Sequence, residues 1–380
     1  MDRERRPEVD AAGRRPAPRP TRYFAFVLPC ILLLGVCCPV ASFAQEGYLG
    51  AEACGACHHE EFDSQSRSEH ARSLSRATEH ALASRFAGLE AELGKPFRYS
   101  LQRREQSLLF GVQQDETIRL QAVDWAFGAG QQAVTFVSRL DERTYVELRA
   151  SYYSSAGLGL TPGHQNHHPE SADDALGLRY KIFSPRSEIL SCFGCHSTGL
   201  PSLGQSFEIE PAELGVRCES CHGPGRQHAE MVSQGELSAA RRLIGNPARL
   251  DSRALMKFCG ECHRPPASQD AAIDWSNPWN VRHQPVYLTQ SSCFQKSAGG
   301  LSCMACHDPH EPLRRNDASY YSERCARCHS EARNPPAEVC RAEPGCVFCH
   351  MPAVRPQPEL AFHNHWIGIY TAENPLRPQR

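Results

Sequence analysis

The chain has 380 residues, with 41 Lys and Arg against 43 Asp and Glu. That near-balance carries none of the basic footprint of a nucleic-acid binder, so nucleic acid is not an expected partner. Aromatic residues make up only 8%, and 28 prolines and 27 glycines interrupt the rest, which is thin material for a large side-chain core; 19 cysteines and 18 histidines point instead to metal or cofactor ligation.

Residues 1–44 read as an export signal. Seven arginines between Arg3 and Arg22 precede the apolar run "YFAFVLPCILLLGVCCPVASFA", and Ser42-Phe43-Ala44 forms a small-x-small cleavage site before Gln45. An uncleaved membrane anchor is the rival reading; Pro29, Pro39 and the short apolar length argue against it. No later stretch is long and apolar enough to cross a bilayer, so the processed chain, at a formal −5, is expected to be soluble and extracytoplasmic, in the periplasm.

Residues 45–94 contain one Cys-x-x-Cys-His motif, "CGACH", followed by a stretch that reads as helical to about Leu93. Residues 95–185 differ in texture. The runs "FRYSLQ", "SLLFGV", "TIRLQAV", "AVTFVSRL" and "TYVELRASYY" are rich in β-branched and aromatic residues and predict a small antiparallel sheet. "WAFGAGQQ" at 125–132 reads as a turn between strands. This insert is expected to be a packing element beside the first motif, with a lid or docking surface as the alternative. Residues 186–365 hold six further motifs, and residues 366–380 read as an extended tail.

The seven motifs carry the chemistry. They place Cys54, Cys57 and His58; Cys192, Cys195 and His196; Cys218, Cys221 and His222; Cys259, Cys262 and His263; Cys303, Cys306 and His307; Cys325, Cys328 and His329; and Cys346, Cys349 and His350. Zinc needs the cysteine pairs but gives no reason for histidine always to follow. A redox dithiol needs one or two active sites rather than seven. Two thiols three apart can each bond a vinyl group of one porphyrin while the next residue reaches its iron, which is the signature of covalent haem c. Seven haem c groups are therefore expected, an attachment chemistry that agrees with export. Six motifs lie within 159 residues. At that density the rings themselves must form the core, so the expected fold is mainly α with much irregular structure around a haem-packed core, in the multihaem cytochrome c manner, plus the β insert.

Each motif histidine fills one axial position. The processed chain retains only four methionines, Met231, Met256, Met304 and Met351, so histidine is the expected sixth ligand at most irons, which implies low potentials. His70, His164, His228, His310 and His365 are the leading distal candidates. His310 follows His307 across an Asp-Pro turn and cannot reach over its own ring, so it is expected to serve a neighbour; His228 follows the same logic. His59, His80, His167, His168 and His283 are as readily structural as ligating. Cys293 and Cys340 stand outside the motifs; a disulfide, a free thiol and a sulfur ligand to iron all remain open.

"GVRCESCHGPGRQH", "LSCMACHDPHE", "CVFCHMP" with "FHNHWI", and "CGACHHEEFDSQSRSEHARSL" resemble the multihaem cytochrome c-552/4 domain family, which is similar to nitrifier tetrahaem cytochromes and hydroxylamine oxidoreductase. The resemblance implies the same five distal histidines and electron transfer linked to nitrogen or sulfur redox chemistry or to respiration. The leading expectation is an electron carrier between redox proteins, with quinol-linked or terminal reductase partners. The alternative is an oxidoreductase of small nitrogen or sulfur compounds with one open haem site, for which the isolated His58 is the first choice.

Overall fold

The computed structural model describes residues 47–204, 207–264, 273–329 and 345–379. The export signal at 1–44 and Cys340, with its pairing to Cys293, lie outside the described residues.

Alternation of apolar and polar side chains builds a first, four-stranded sheet. In the strand Phe97–Arg104, Phe97, Tyr99 and Leu101 are buried while Arg98, Arg103 and Arg104 face water. It pairs antiparallel with Ser107–Gln114, which pairs with Thr117–Ala122, and Leu89–Glu92 closes the other edge. A second, seven-stranded sheet runs Leu74–Arg76, Trp125–Phe127, Ala133–Arg139, Thr144–Leu148, Gly177–Lys181, with Ala150–Tyr153 joined to both Ala133–Arg139 and Gly157–Leu160. Phe86, Tyr99, Phe110, Phe136, Leu148 and Tyr152 form one aromatic-rich core between the sheets.

The expectation of a mainly α fold is thereby corrected. Strand extends well beyond a small insert: it begins at Leu74 rather than near residue 95, two further two-stranded pairs lie between motifs 2 and 3, and a third follows motif 7. Among the described residues helices are short, the longest being Ser252–His263 with 12 residues, in a chain that Gly and Pro often interrupt. "WAF" is itself a buried strand, and only the glycines after it turn the chain. The chain past the last motif folds back. Trp366 packs on Trp275 with ring centroids 5.0 Å apart, and buried Asn364 donates to the carbonyls of Pro375 and Leu376.

The two halves of the chain bury apolar surface differently. Past residue 216 the described buried apolar side chains are fewer: Val281, Val286, Tyr287 and Val354 form one cluster, and Ala240, Leu255, Met256, Leu288 and Leu360 are buried outside it. The sheet is tied to the second motif. The helix Glu188–His196 starts at Ser187, whose Oγ accepts from the Phe183 and Ser184 amides, and it drives Phe193 between Trp125, Phe127 and Tyr145. Phe193 is fully buried although it is one of the two variable residues inside "CFGCH". The insert therefore buttresses the second motif through its main apolar contact. Phe193→Ala is predicted to destabilise the protein by about 3–5 kcal/mol, as truncation of a buried phenylalanine does; urea unfolding measures this, and an unchanged midpoint would show that the sheet does not hold this helix.

Candidate functional site

Each Cys-x-x-Cys-His motif is wound as about one helical turn. The histidine amide returns to the carbonyl of the first cysteine at 2.9 Å in motif 1, 3.0 Å in motif 5 and 3.0 Å in motif 6. Motifs 2, 3, 4 and 7 lie within or end the helices Glu188–His196, Cys218–His222, Ser252–His263 and Cys346–His350. Positions i, i+3 and i+4 share one helix face, so both sulfurs and the imidazole project to the same side. Cysteine is ordinarily among the most buried residue types. Here none of the fifteen described cysteines is buried, and Cys57, Cys192, Cys262, Cys328 and Cys349 are exposed.

Side chains outside the motifs set their mutual positions. Glu219, one of the variable residues of motif 3, is buried, and its carboxylate accepts from the amides of Leu49, Gly50 and Gly225 at 2.7–3.1 Å. Glu213 accepts from Ala51 at 3.1 Å. These bonds bring the start of motif 1 onto motif 3, and the helices Ala51–Gly55 and Cys218–His222 touch there. Gly215 has φ +79°, and a Cβ there would lie 2.0 Å from the Ala71 carbonyl oxygen. Its bareness lets the His70 turn dock, with Val216 donating to the His70 carbonyl at 2.9 Å. Among the described residues no three His, Cys, Asp or Glu side chains converge as a zinc site requires.

The imidazoles pair across motifs. His70 faces His263 with ring centroids 5.9 Å apart, His310 faces His222 at 6.0 Å, and His365 faces His307 at 6.4 Å. An iron bonded to one nitrogen of each ring, at the usual metal–imidazole distance of about 2 Å, sets the centroids about 6 Å apart. Ring orientation fits as well. Nδ1 of His196 approaches the Ser73 carbonyl at 3.1 Å, that of His222 the Gly245 carbonyl at 2.8 Å, that of His350 the Gly368 carbonyl at 2.8 Å, and that of His365 the His363 carbonyl at 2.9 Å. A proton held there leaves the Nε2 lone pair free to ligate. Ligation also needs neutral rings. Burial first, then neighbouring imidazoles, pulls His263 down to about 4; burial and the nearby His307 do the same for His365, and burial lowers His70, His196 and His307. His70 and His263 nevertheless keep exposed surface. A cleft of about 300 Å³, open to solvent on one side, is lined by Cys306, His307, His310, Arg314 and Arg324, so it offers thiol, imidazole and guanidinium together.

The remaining histidines are placed differently. His228 directs Nδ1 to the Ala240 carbonyl at 3.0 Å, the orientation of the paired rings. His164 is fully buried, with Nε2 3.3 Å from Glu147 and Nδ1 buried without a hydrogen-bond partner. His80 uses both nitrogens, on the Gly128 carbonyl and the Leu82 amide, and is structural. His167 lies between Arg149 and Asp174, while His59 and His168 are exposed. His283 keeps a buried, unpartnered Nε2. Glu219 and Phe193 escaped the sequence reading because variable positions inside a motif carry no signal of their own.

These side chains suit covalent haem c: unburied thiols and an imidazole on one face of each turn, and opposed imidazoles about one iron's width apart. The family model "Cytochrome c554 and c-prime" matches residues 165–223, which contain motifs 2 and 3. The chain is also 25% identical over 204 residues to the multiheme cytochrome MtrA of Shewanella baltica (strain OS185), a match covering 44% of this chain and 60% of that relative. No solved structure matches significantly. In these spans the chain is similar to multihaem c-type cytochromes, and it covers less than two thirds of the length of the relative it matches.

Glu219→Ala is predicted to cost about 2–4 kcal/mol, since it strands amides that share a charged acceptor. Denaturant unfolding measures that cost, and haem content should fall first at motif 1; full stability would show that the carboxylate is not the link between motifs 1 and 3.

Proposed function

We propose that the protein is an extracytoplasmic heptahaem cytochrome that carries electrons between redox proteins through mostly bis-histidine haems. The supporting observation is the set of three cross-motif imidazole pairs at 5.9–6.4 Å, each joining a motif histidine to a histidine distant in sequence. His70 would serve motif 4, His310 motif 3 and His365 motif 5. His164 and His228 remain the candidates for two further sites. When bound, haem supplies one-electron redox chemistry at low potential. The chain's own residues do the rest. The fourteen motif cysteines would hold the haems by thioether bonds, and each motif histidine would offer one nitrogen to an iron. The backbone carbonyls of Ser73, Gly245 and Gly368 hold the orientation of three of those rings. Arg314 and Arg324, which line the cleft beside motif 5, carry the charge that carboxylate substituents of the ring require.

Two saturated axial positions leave no room for a substrate, so this reading and a catalytic one diverge in spin state. Among the described residues no helix is long and apolar enough to cross a membrane. A periplasmic location with quinol-linked or terminal reductase partners agrees with the N-terminal sequence and the attachment chemistry.

Electron paramagnetic resonance of the oxidised protein is predicted to show predominantly low-spin iron, unchanged by cyanide, nitrite or hydroxylamine. His70→Ala, His310→Ala and His365→Ala should each convert one iron to a high-spin, cyanide-binding form. A high-spin iron in the unaltered protein that binds nitrite or hydroxylamine would favour an oxidoreductase, and unchanged spectra in all three variants would refute the ligand pairs.

A further inference from the structure

His310 is backed by a different group from its fellow paired rings. Behind His222 and His365 the Nδ1 partner is a neutral backbone carbonyl, of Gly245 at 2.8 Å and of His363 at 2.9 Å. Beside the Nδ1 of His310 stands a carboxylate oxygen, Asp308 Oδ1, at 3.5 Å. The same oxygen accepts from the His310 amide at 2.9 Å, so the Asp-Pro turn fixes carboxylate and imidazole together. A second carboxylate belongs to the same site, because Glu219 lies buried between the two cysteines of motif 3. The guanidiniums of the neighbouring cleft stand by motif 5 instead: Arg314 is 3.1 Å from Glu311, and Arg324 lies over the Tyr320 ring at 4.1 Å.

A carboxylate behind a ligating imidazole makes the ring a stronger donor, and negative charge near an iron favours its oxidised state. Water damps the effect, since the His310 and Asp308 side chains are 41% and 50% exposed, but a full charge 3.5 Å from the ring still acts on it. We propose that Asp308 is a positioning residue that tunes motif 3: through His310 it makes this the lowest-potential of the three paired sites, so that electrons reaching motif 3 pass on to motif 5. The two sites adjoin through the chain itself, because His310 faces motif 3 from a position three residues past His307 of motif 5. One electron leaves the iron at motif 3 for the iron at motif 5; no bond forms or breaks and no proton moves. The inference rests on the electron-transfer reading above and adds the direction between these two sites.

The pair carries its own spectroscopic mark. The His222 and His310 planes are inclined by only 5°, against 62° for His70 with His263 and 34° for His307 with His365. Parallel imidazoles direct their π orbitals at one iron d orbital and separate it from its partner, which gives a rhombic low-spin resonance. Crossed planes leave the two orbitals nearly equal and give a highly anisotropic one. The test is a redox titration of the full-length holoprotein followed by electron paramagnetic resonance, with the motif 3 component identified as the rhombic one that His310→Ala abolishes. That component should disappear at a lower potential than those abolished by His70→Ala and His365→Ala. In Asp308→Asn, which keeps an oxygen for the His310 amide and removes the charge, it should keep its shape and disappear at a higher potential. A motif 3 component reduced before either of the others overturns the proposal, as does a potential that Asp308→Asn leaves unchanged. A changed line shape in that variant also overturns it, because Asp308 then only shapes the turn. If Asp308→Asn fails to fold, the order of reduction in the otherwise unaltered protein still decides. No low-spin component lost in His310→Ala rejects the ligand pair and the electron-transfer reading built on it, a result distinct from all of these.

Discussion

Thioether attachment at a helical turn is the constraint on which the molecule depends. Once two sulfurs and an imidazole are fixed to one face of a turn, the chain need only bring a second imidazole to the other side, and a large flat apolar group becomes part of the interior. The cysteine-rich half is built to that economy. Its described side-chain core is small, its cysteines are unburied, and its histidines are crowded yet open. The half around the two sheets is an ordinary protein by contrast, with phenylalanine and tyrosine interlocked between layers. Phe193 joins the two regimes, because a residue inside an attachment motif is also a core residue of the sheet.

Cross-motif histidine pairing has a mechanical consequence. His70 leaves the first segment to face motif 4, His310 leaves motif 5 to face motif 3, and His365 returns from the C-terminal region to motif 5. On the proposed ligation each bound group would link chain segments far apart in sequence, much as disulfides do in small secreted domains, and stability would be coupled to cofactor content.

The attachment chemistry was legible because it rests on covalent spacing, which tertiary structure does not alter. The Asp-Pro turn already directs His310 away from its own motif, but only the fold puts His222 opposite it. The strands from Phe97 to Leu148 follow from alternation. Leu74–Arg76 did not, because "ARSLSRATEH" has helical character and the three-residue strand exists only by pairing with Trp125–Phe127. That partner was hidden in turn by Gly128 and Gly130, which give the whole run the look of a loop. Neighbourhood among motifs is invisible in sequence, since it depends on single tertiary contacts such as the Glu219 carboxylate and the bare Gly215.

Intact mass spectrometry of the exported protein under denaturing conditions tests the central claim most directly. Seven covalently attached haems predict the processed polypeptide mass plus seven haem masses, with colour that survives acid–acetone extraction. A colourless polypeptide at its bare mass would contradict the account, and a whole-number shortfall would identify motifs that do not carry the group.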